Sequence, residues 1–183
     1  TGADSSISRV LSYNVVPRLA ELFRWCVEQE AGTSNELVTK LGAKMKTERG
    51  MDHVLVPVLR TIGNIVSAED ADLVDKVLEH GVIKSLMTLG FTLNDKKTSI
   101  RKEACWTLSN ITAGSRSQID LAIKTGVFGA EMKSLLETTE GKAFVLQKET
   151  CYIVENLPTA GSIDQIRQVY DLNIVPSICQ LLD

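Results

Sequence analysis

The sequence predicts an all-α, right-handed solenoid of stacked helical repeats. Three observations carry that prediction. Three segments align without gaps at one fixed period. A Gly or Asn followed by an apolar stretch recurs between them. Hydrophobic residues make up 44% of the chain and aromatics only 5%, which suits stacked helices with aliphatic cores better than a β-sandwich.

The aligned segments are Val58-Leu-Arg-Thr-Ile-Gly-Asn-Ile65, Ala104-Cys-Trp-Thr-Leu-Ser-Asn-Ile111 and Thr150-Cys-Tyr-Ile-Val-Glu-Asn-Leu157. Their asparagines, Asn64, Asn110 and Asn156, are each 46 residues apart. That period is usual for armadillo and HEAT solenoids. The second landmark is Asn14-Val-Val-Pro17, Gly81-Val-Ile83, Gly126-Val-Phe128 and Asn173-Ile-Val-Pro176. Gly and Asn tolerate the left-handed conformation that ends a helix, and Pro17 and Pro176 fit the first turn of the next one. Each unit therefore reads as short helix, turn, middle helix, loop and long third helix, the armadillo plan.

The 183 residues read as a single domain. Its units are approximately 7–67, 70–113, 116–160 and an incomplete 163–183, so the chain reads as a fragment of a longer array. The first unit is longer: Asn14 and Gly81 are 67 apart, against 45 from Gly81 to Gly126. The excess is assigned to an insertion over 25–50, between middle and third helices, with an extra exposed helix expected near Asn35 to Lys46. Pro158 is expected to end the last long helix early.

In each long helix one set is apolar at spacing i, i+4, i+7: Val58/Ile62/Ile65, Ala104/Leu108/Ile111 and Thr150/Val154/Leu157, with Thr150 the weak member. This is the expected core face. Another face carries Glu103, Trp106 and Asn110, with counterparts Glu149, Tyr152, Asn156 and Pro57, Arg60, Asn64. A core disfavours a recurring unpartnered Asn, at about 1–3 kcal/mol each. A solvent face does not require a recurring large flat group. One Trp on a helix is usually core, and one helical Asn is usually solvated. Three Asn in one register favour a ligand groove. An Asn amide both donates and accepts, so it grips an extended peptide backbone. A Trp face takes a Lys or Arg stem, with a cation–π gain of about 0.5–2 kcal/mol. A Glu one turn away meets the charged head. From the residues alone the reading stops at a peptide-binding solenoid.

Other classes are poorly supported. Net charge is −3 without a basic patch, which argues against direct nucleic-acid binding. No apolar run has membrane-spanning length, and Thr1 to Ser6 has no signal-peptide pattern. Cys26, Cys105, Cys151 and Cys179 form no close CxxC pair and fit reduced thiols of the cytosol or nucleus. His53 and His80 have no nucleophile at useful spacing. Cys105 and Cys151 share the repeat register and read as packing residues. No phosphate loop, zinc motif or nucleophile elbow appears, so neither enzyme nor cofactor is expected. The stretch Glu69, Asp70, Asp72, Asp75 reads as a solvated helix start, or as an extension of a field that draws basic partners.

At Glu103-Ala-Cys-Trp-Thr-Leu-Ser-Asn-Ile-Thr-Ala-Gly114 the sequence closely resembles importin-α. Leu59-Arg-Thr-Ile-Gly-Asn-Ile-Val66 is similar to the third helix of that family's sixth repeat, where Arg commonly replaces Trp. The following units resemble the seventh and eighth repeats, and 163–183 the start of the ninth. The resemblance implies a nuclear import adaptor that binds basic nuclear localisation signals in a concave groove, here the minor-site region. It implies basic cargo proteins as partners, and importin-β and an export receptor contacted through regions outside this chain. It also implies shuttling between cytoplasm and nucleus. The alternative is a general, non-enzymatic armadillo scaffold for other extended peptides or protein partners.

Carried over by position, Trp106 holds lysine stems, while Asn110 and Asn156 hold the signal backbone, with Ser109 beside them. Glu103 and Glu149 meet basic heads. Asn64, Val66 and Ser67 floor the far end, and Arg60 disfavours a basic side chain or pairs with an acidic one. Tyr152 stands where the family usually has Trp, Ala68 where Gly is common, and Leu157-Pro158 replaces a small polar ending. These departures point to a divergent member with a weakened minor site.

Overall fold

A computed structural model describes residues 14–32, 51–94, 96–139 and 143–182. Among these, every regular element is helical. They run in chain order: α1 (Val15–Ala31) and α2 (Asp52–Val66); α3 (Ala71–Leu78), α4 (Val82–Met87) and α5 (Thr98–Thr112); α6 (Arg116–Thr125), α7 (Ala130–Leu136) and α8 (Ala143–Glu155); then α9 (Leu157–Ala160), α10 (Ile163–Asp171) and α11 (Val175–Cys179). A π-helical turn at Thr88–Thr92 follows α4, and a 3₁₀ turn at Gln180–Leu182 follows α11. The long helices α2, α5 and α8 pack in succession.

The landmarks act as the sequence implies. Asn14, Gly81, Gly126 and Asn173 all have positive φ, at 56°, 73°, 91° and 58°. At Gly81, Gly126 and Asn173 this left-handed residue lies between the first and middle helices, and Asn14 heads α1; only Gly or a short polar side chain adopts it at low cost.

The expected core face is buried at Val58, Ile62, Ala104, Leu108, Ile111 and Leu157, whereas Ile65 and Val154 are half-buried. Thr150, the apparent weak member, is fully buried. Its hydroxyl donates to the Leu146 carbonyl at 2.8 Å, which satisfies the polar atom inside the core.

Two sets of polar side chains close the gaps. Ser115 and Ser162 each head a capping box with Gln118 and Gln165. The same glutamines reach back to the preceding repeat. Gln118 Nε2 donates to Asp75 Oδ1 at 2.7 Å, and Gln165 Nε2 donates to Asp120 Oδ1 at 2.6 Å and to the Arg116 carbonyl at 2.7 Å. One side chain thus caps its own helix and braces it to its neighbour. Arg101 and Gln147, in one register on α5 and α8, cover the carbonyls that end the middle helices: Arg101 reaches Gly90 at 3.1 Å, and Gln147 reaches Leu136 at 3.0 Å and Thr138 at 2.7 Å.

The first repeat lacks that donor because Leu55 occupies its register. Its middle helix α1 runs 17 residues and closes on Gly32 at φ 67°. Residues 25–31 continue this helix, with Cys26 and Val27 in the core and Trp25 packed against it. The rest of the expected insertion, including the helix expected near Asn35 to Lys46, lies outside the described residues. Lys96 pairs with Glu30 at the end of α1 and with Asp52 at the start of α2, where Lys97 also binds. Burial alone would raise the Asp52 carboxyl, but the hydrogen bonds and charges of Lys97 and Lys96 hold it below the usual carboxylate range.

Pro158 acts as expected. α8 ends at Glu155, Asn156 is a turn residue, and a new turn starts at Leu157 with the proline in its first positions.

Candidate functional site

Third helices α2, α5 and α8 carry the ladder, and its rungs differ in state. On α2, Arg60 is exposed and its Nε donates to both Glu103 carboxylate oxygens, at 3.1 and 3.3 Å. Asn64 is exposed, and its carbonyl accepts from the Ser67 hydroxyl at 3.1 Å. Val66 is buried, so its side chain belongs to the core and only its backbone is offered to a groove.

On α5, Trp106 is half-buried. Its ring lies over Gly63, where an added Cβ would meet Trp106 Cζ3 at 2.8 Å. The missing side chain at 63 is what lets the ring settle onto the preceding helix. Ser109 is buried, with its hydroxyl bonded to the Trp106 carbonyl at 2.8 Å. Asn110 Nδ2 is buried and has no acceptor. A buried amide donor without a partner costs about 1–3 kcal/mol. Such a group is rare in a folded chain and calls for a reason.

On α8, Glu149 is mostly buried, with Lys102 Nζ at 3.4 Å. Tyr152 is 40% exposed, and Lys148 Nζ sits 5.9 Å from its ring centroid. Asn156 Nδ2 donates to the Ser109 carbonyl at 2.7 Å. The structure therefore brings Arg60 to Glu103 and Asn156 to Ser109. Each ladder glutamate already holds a cation of the chain itself.

Beside Asn110 is a cleft of about 380 Å³, between the C-terminal turns of α2 and α5 and the helix α3. Val66, Ala71, Val74, Ala113 and Gly114 form its apolar and backbone walls, and Ser67, Glu69, Ser115 and Gln118 add polar groups. A larger cleft of about 660 Å³ includes Asn94, Lys96, Arg101 and Glu137 but no ladder residue. Its Arg101 is spent on backbone carbonyls and its Lys96 on ion pairs, so it reads as a gap between loops. Among the described residues no group of three or more His, Cys, Asp or Glu is placed to hold a metal ion. No described helix is long and apolar enough to cross a membrane.

Cys105 and Cys151 differ despite their shared register. Burial pushes the Cys105 thiol up to about 12. Half-buried Cys151 is raised as well, by burial and then by Glu155.

Sequence reasoning missed the bracing glutamines, Lys102 and the separate roles of the acidic stretch. Asp70 caps α3 by accepting from the Leu73 amide at 3.1 Å, Asp75 holds Gln118, and Glu69 lines the cleft. The braces had a legible signal: Ser-x-x-Gln recurs at 115 and 162, with an Asp 43 and 45 residues before each Gln.

Residues 70–113 match the armadillo/β-catenin-like repeat family. Over 153 residues, 84% of the chain, the sequence is 39% identical to importin subunit alpha-4 of Arabidopsis thaliana. Over 76 residues, 42% of the chain, it is 50% identical to importin subunit alpha-1a of Oryza sativa subsp. japonica. These are armadillo repeats of the importin-α family. The importin-α repeats in this chain span 26% and 14% of those two relatives. Among solved structures, the designed armadillo repeat protein YIII(Dq.V1)4CPAF in complex with peptide (KR)4 superposes with a TM-score of 0.66. That likeness covers 98% of this chain and 61% of the designed one at 22% identity, and it establishes the all-α armadillo fold. As an importin-α-type armadillo scaffold, the chain is not an enzyme.

Proposed function

We propose that the α2–α5–α8 face binds extended peptides rich in lysine and arginine, as the minor-site region of a nuclear import adaptor. The observation that carries this reading is the buried, unpartnered Asn110 amide on the same helix face as the half-exposed Trp106 ring. The amide supplies a backbone grip and the ring a surface for an aliphatic stem and its cation. Kinship with importin subunits alpha supports the same reading. On this proposal the cargo is a protein bearing a basic localisation signal. Importin-β and an export receptor act through regions outside this chain, and the adaptor moves between cytoplasm and nucleus.

The test is fluorescence anisotropy with a labelled Lys/Arg octapeptide at low and at physiological salt. Wild type is expected to bind in a salt-sensitive manner. Asn110→Ala is expected to weaken binding about tenfold, the equivalent of about 1.4 kcal/mol for one well-made hydrogen bond. Trp106→Ala is expected to weaken it at least as much. Equal affinity of wild type and both variants would remove the groove from this face.

A second reading rests on the neutralised rungs. With Glu103 held by Arg60 and Glu149 by Lys102, the face has less free negative charge than the ladder alone implies. A scaffold for neutral extended peptides follows from that. A Ser/Gly-rich octapeptide binding as tightly as the basic one would favour it.

A further inference from the structure

The free carboxylate beside the groove is not one of the ladder glutamates. Glu103 holds Arg60 at 3.1 Å and Glu149 holds Lys102 at 3.4 Å, so a peptide cation arriving at either competes with one tethered to the chain. The cleft beside Asn110 is different. Among its lining residues Glu69 is the single charged one, and it is exposed. None of the ion pairs among the described residues involves Glu69.

The other polar groups of the cleft are committed. Ser67 donates to the Asn64 carbonyl, and Ser115 and Gln118 bind each other in the capping box. Glu69's neighbour Asp70 is used by the Leu73 amide. Among the described residues that line the cleft, two groups remain uncommitted, the Asn110 amide donor and the Glu69 carboxylate. The small side chains of Ala71, Ala113 and Gly114 leave an open slot lined by little but backbone and methyl groups. A donor for a peptide carbonyl, an apolar slot and a carboxylate are the complement of one lysine or arginine residue.

We infer that Glu69 receives the charged head of a lysine or arginine whose backbone is held by Asn110, which makes it the specificity-determining carboxylate of this groove. The inference rests on the basic-peptide reading above. Recognition of charge then sits at the turn before α3, not along the glutamates of the third helices. It also separates Glu69 from the rest of its acidic stretch, which caps and braces helices.

The same anisotropy assay tests it with Glu69→Gln and, as a control, Glu79→Gln. Glu79 is an exposed carboxylate at the other end of α3, outside this cleft, and its change alters net charge equally. Glu69→Gln is expected to weaken the Lys/Arg octapeptide about three- to fivefold and to flatten its salt dependence, as for one partly exposed ion pair. Glu79→Gln is expected to leave affinity unchanged, and both variants to melt like wild type. Binding by wild type with Glu69→Gln unaffected, or with both variants weakened alike, overturns the role of Glu69 and leaves the basic-peptide reading standing. Absence of binding by folded wild type removes that reading, and this inference with it.

Discussion

The rungs at Asn110 and Asn156 each set an aromatic ring beside an asparagine in the same register, and their states are opposite. At the first, the amide is buried and unpaired and the aromatic ring is half-buried. At the second, the amide is bonded to the Ser109 carbonyl and the ring is 40% exposed. Besides Trp106 against Tyr152, two differences in sequence accompany this contrast. Opposite Trp106 is Gly63, which admits the ring, whereas the same register before Tyr152 holds Ser109 and its side chain. Beyond Asn110 the helix continues to Thr112, whereas Pro158 breaks it at Asn156 and makes that residue a turn. Asn156 bonds across to the Ser109 carbonyl and acts as a strut between α8 and α5. Equal register does not make equal roles: one amide is left without a partner, and the other is spent on holding repeats together.

The largest expected effect comes from closing the space that defines the first rung. Gly63→Ala places a methyl against the Trp106 ring, and overpacking of that kind costs about 1–3 kcal/mol. Chemical denaturation is expected to show that loss, with Trp106 fluorescence shifted toward that of a more solvated ring.

The asparagines should then separate. Asn156→Ala removes a bond to a partly buried carbonyl and is expected to lower stability by about 1 kcal/mol. Asn110→Ala removes a buried donor that has no partner, and its denaturation midpoint is expected to stay level or rise. Equal losses in both variants would erase the contrast between strut and site.

Pro158→Ala sharpens the comparison at lower cost. It restores a backbone donor and is expected to extend α8 through Asn156, raising helical circular dichroism with a stability change below about 1 kcal/mol.

The smallest effect is kinetic. With its thiol pushed up to about 12 and its side chain in the core, Cys105 stays protonated and shielded at pH 8. Exposed Cys179 is expected to react first with a thiol reagent, half-buried Cys151 next, and Cys105 only on unfolding.

Much of the architecture was legible in the sequence because it repeats. The Asn spacing of 46 set the helix register, and each landmark Gly or Asn proved to be a left-handed residue just before a middle helix. Such features depend on local backbone preference and on apolar periodicity, both carried by neighbouring residues. Less legible was 25–31, where a polar-looking stretch continues helix α1. Trp25, Cys26 and Val27 supply the buried contacts there, and the surrounding charges mask them.

The sequence by itself determined that Arg60, Asn64, Trp106, Asn110, Tyr152 and Asn156 share one face of successive long helices. Only the tertiary structure decided which of those groups are free. Arg60 reaches Glu103 across 43 residues, Lys102 reaches Glu149 across 47, and Asn156 reaches Ser109 across 47. Stacking brings these partners together, and the choice among them turns on distances of an ångström or two. The absent Cβ at Gly63, which admits the Trp106 ring, is a local detail of the same scale that no periodicity records.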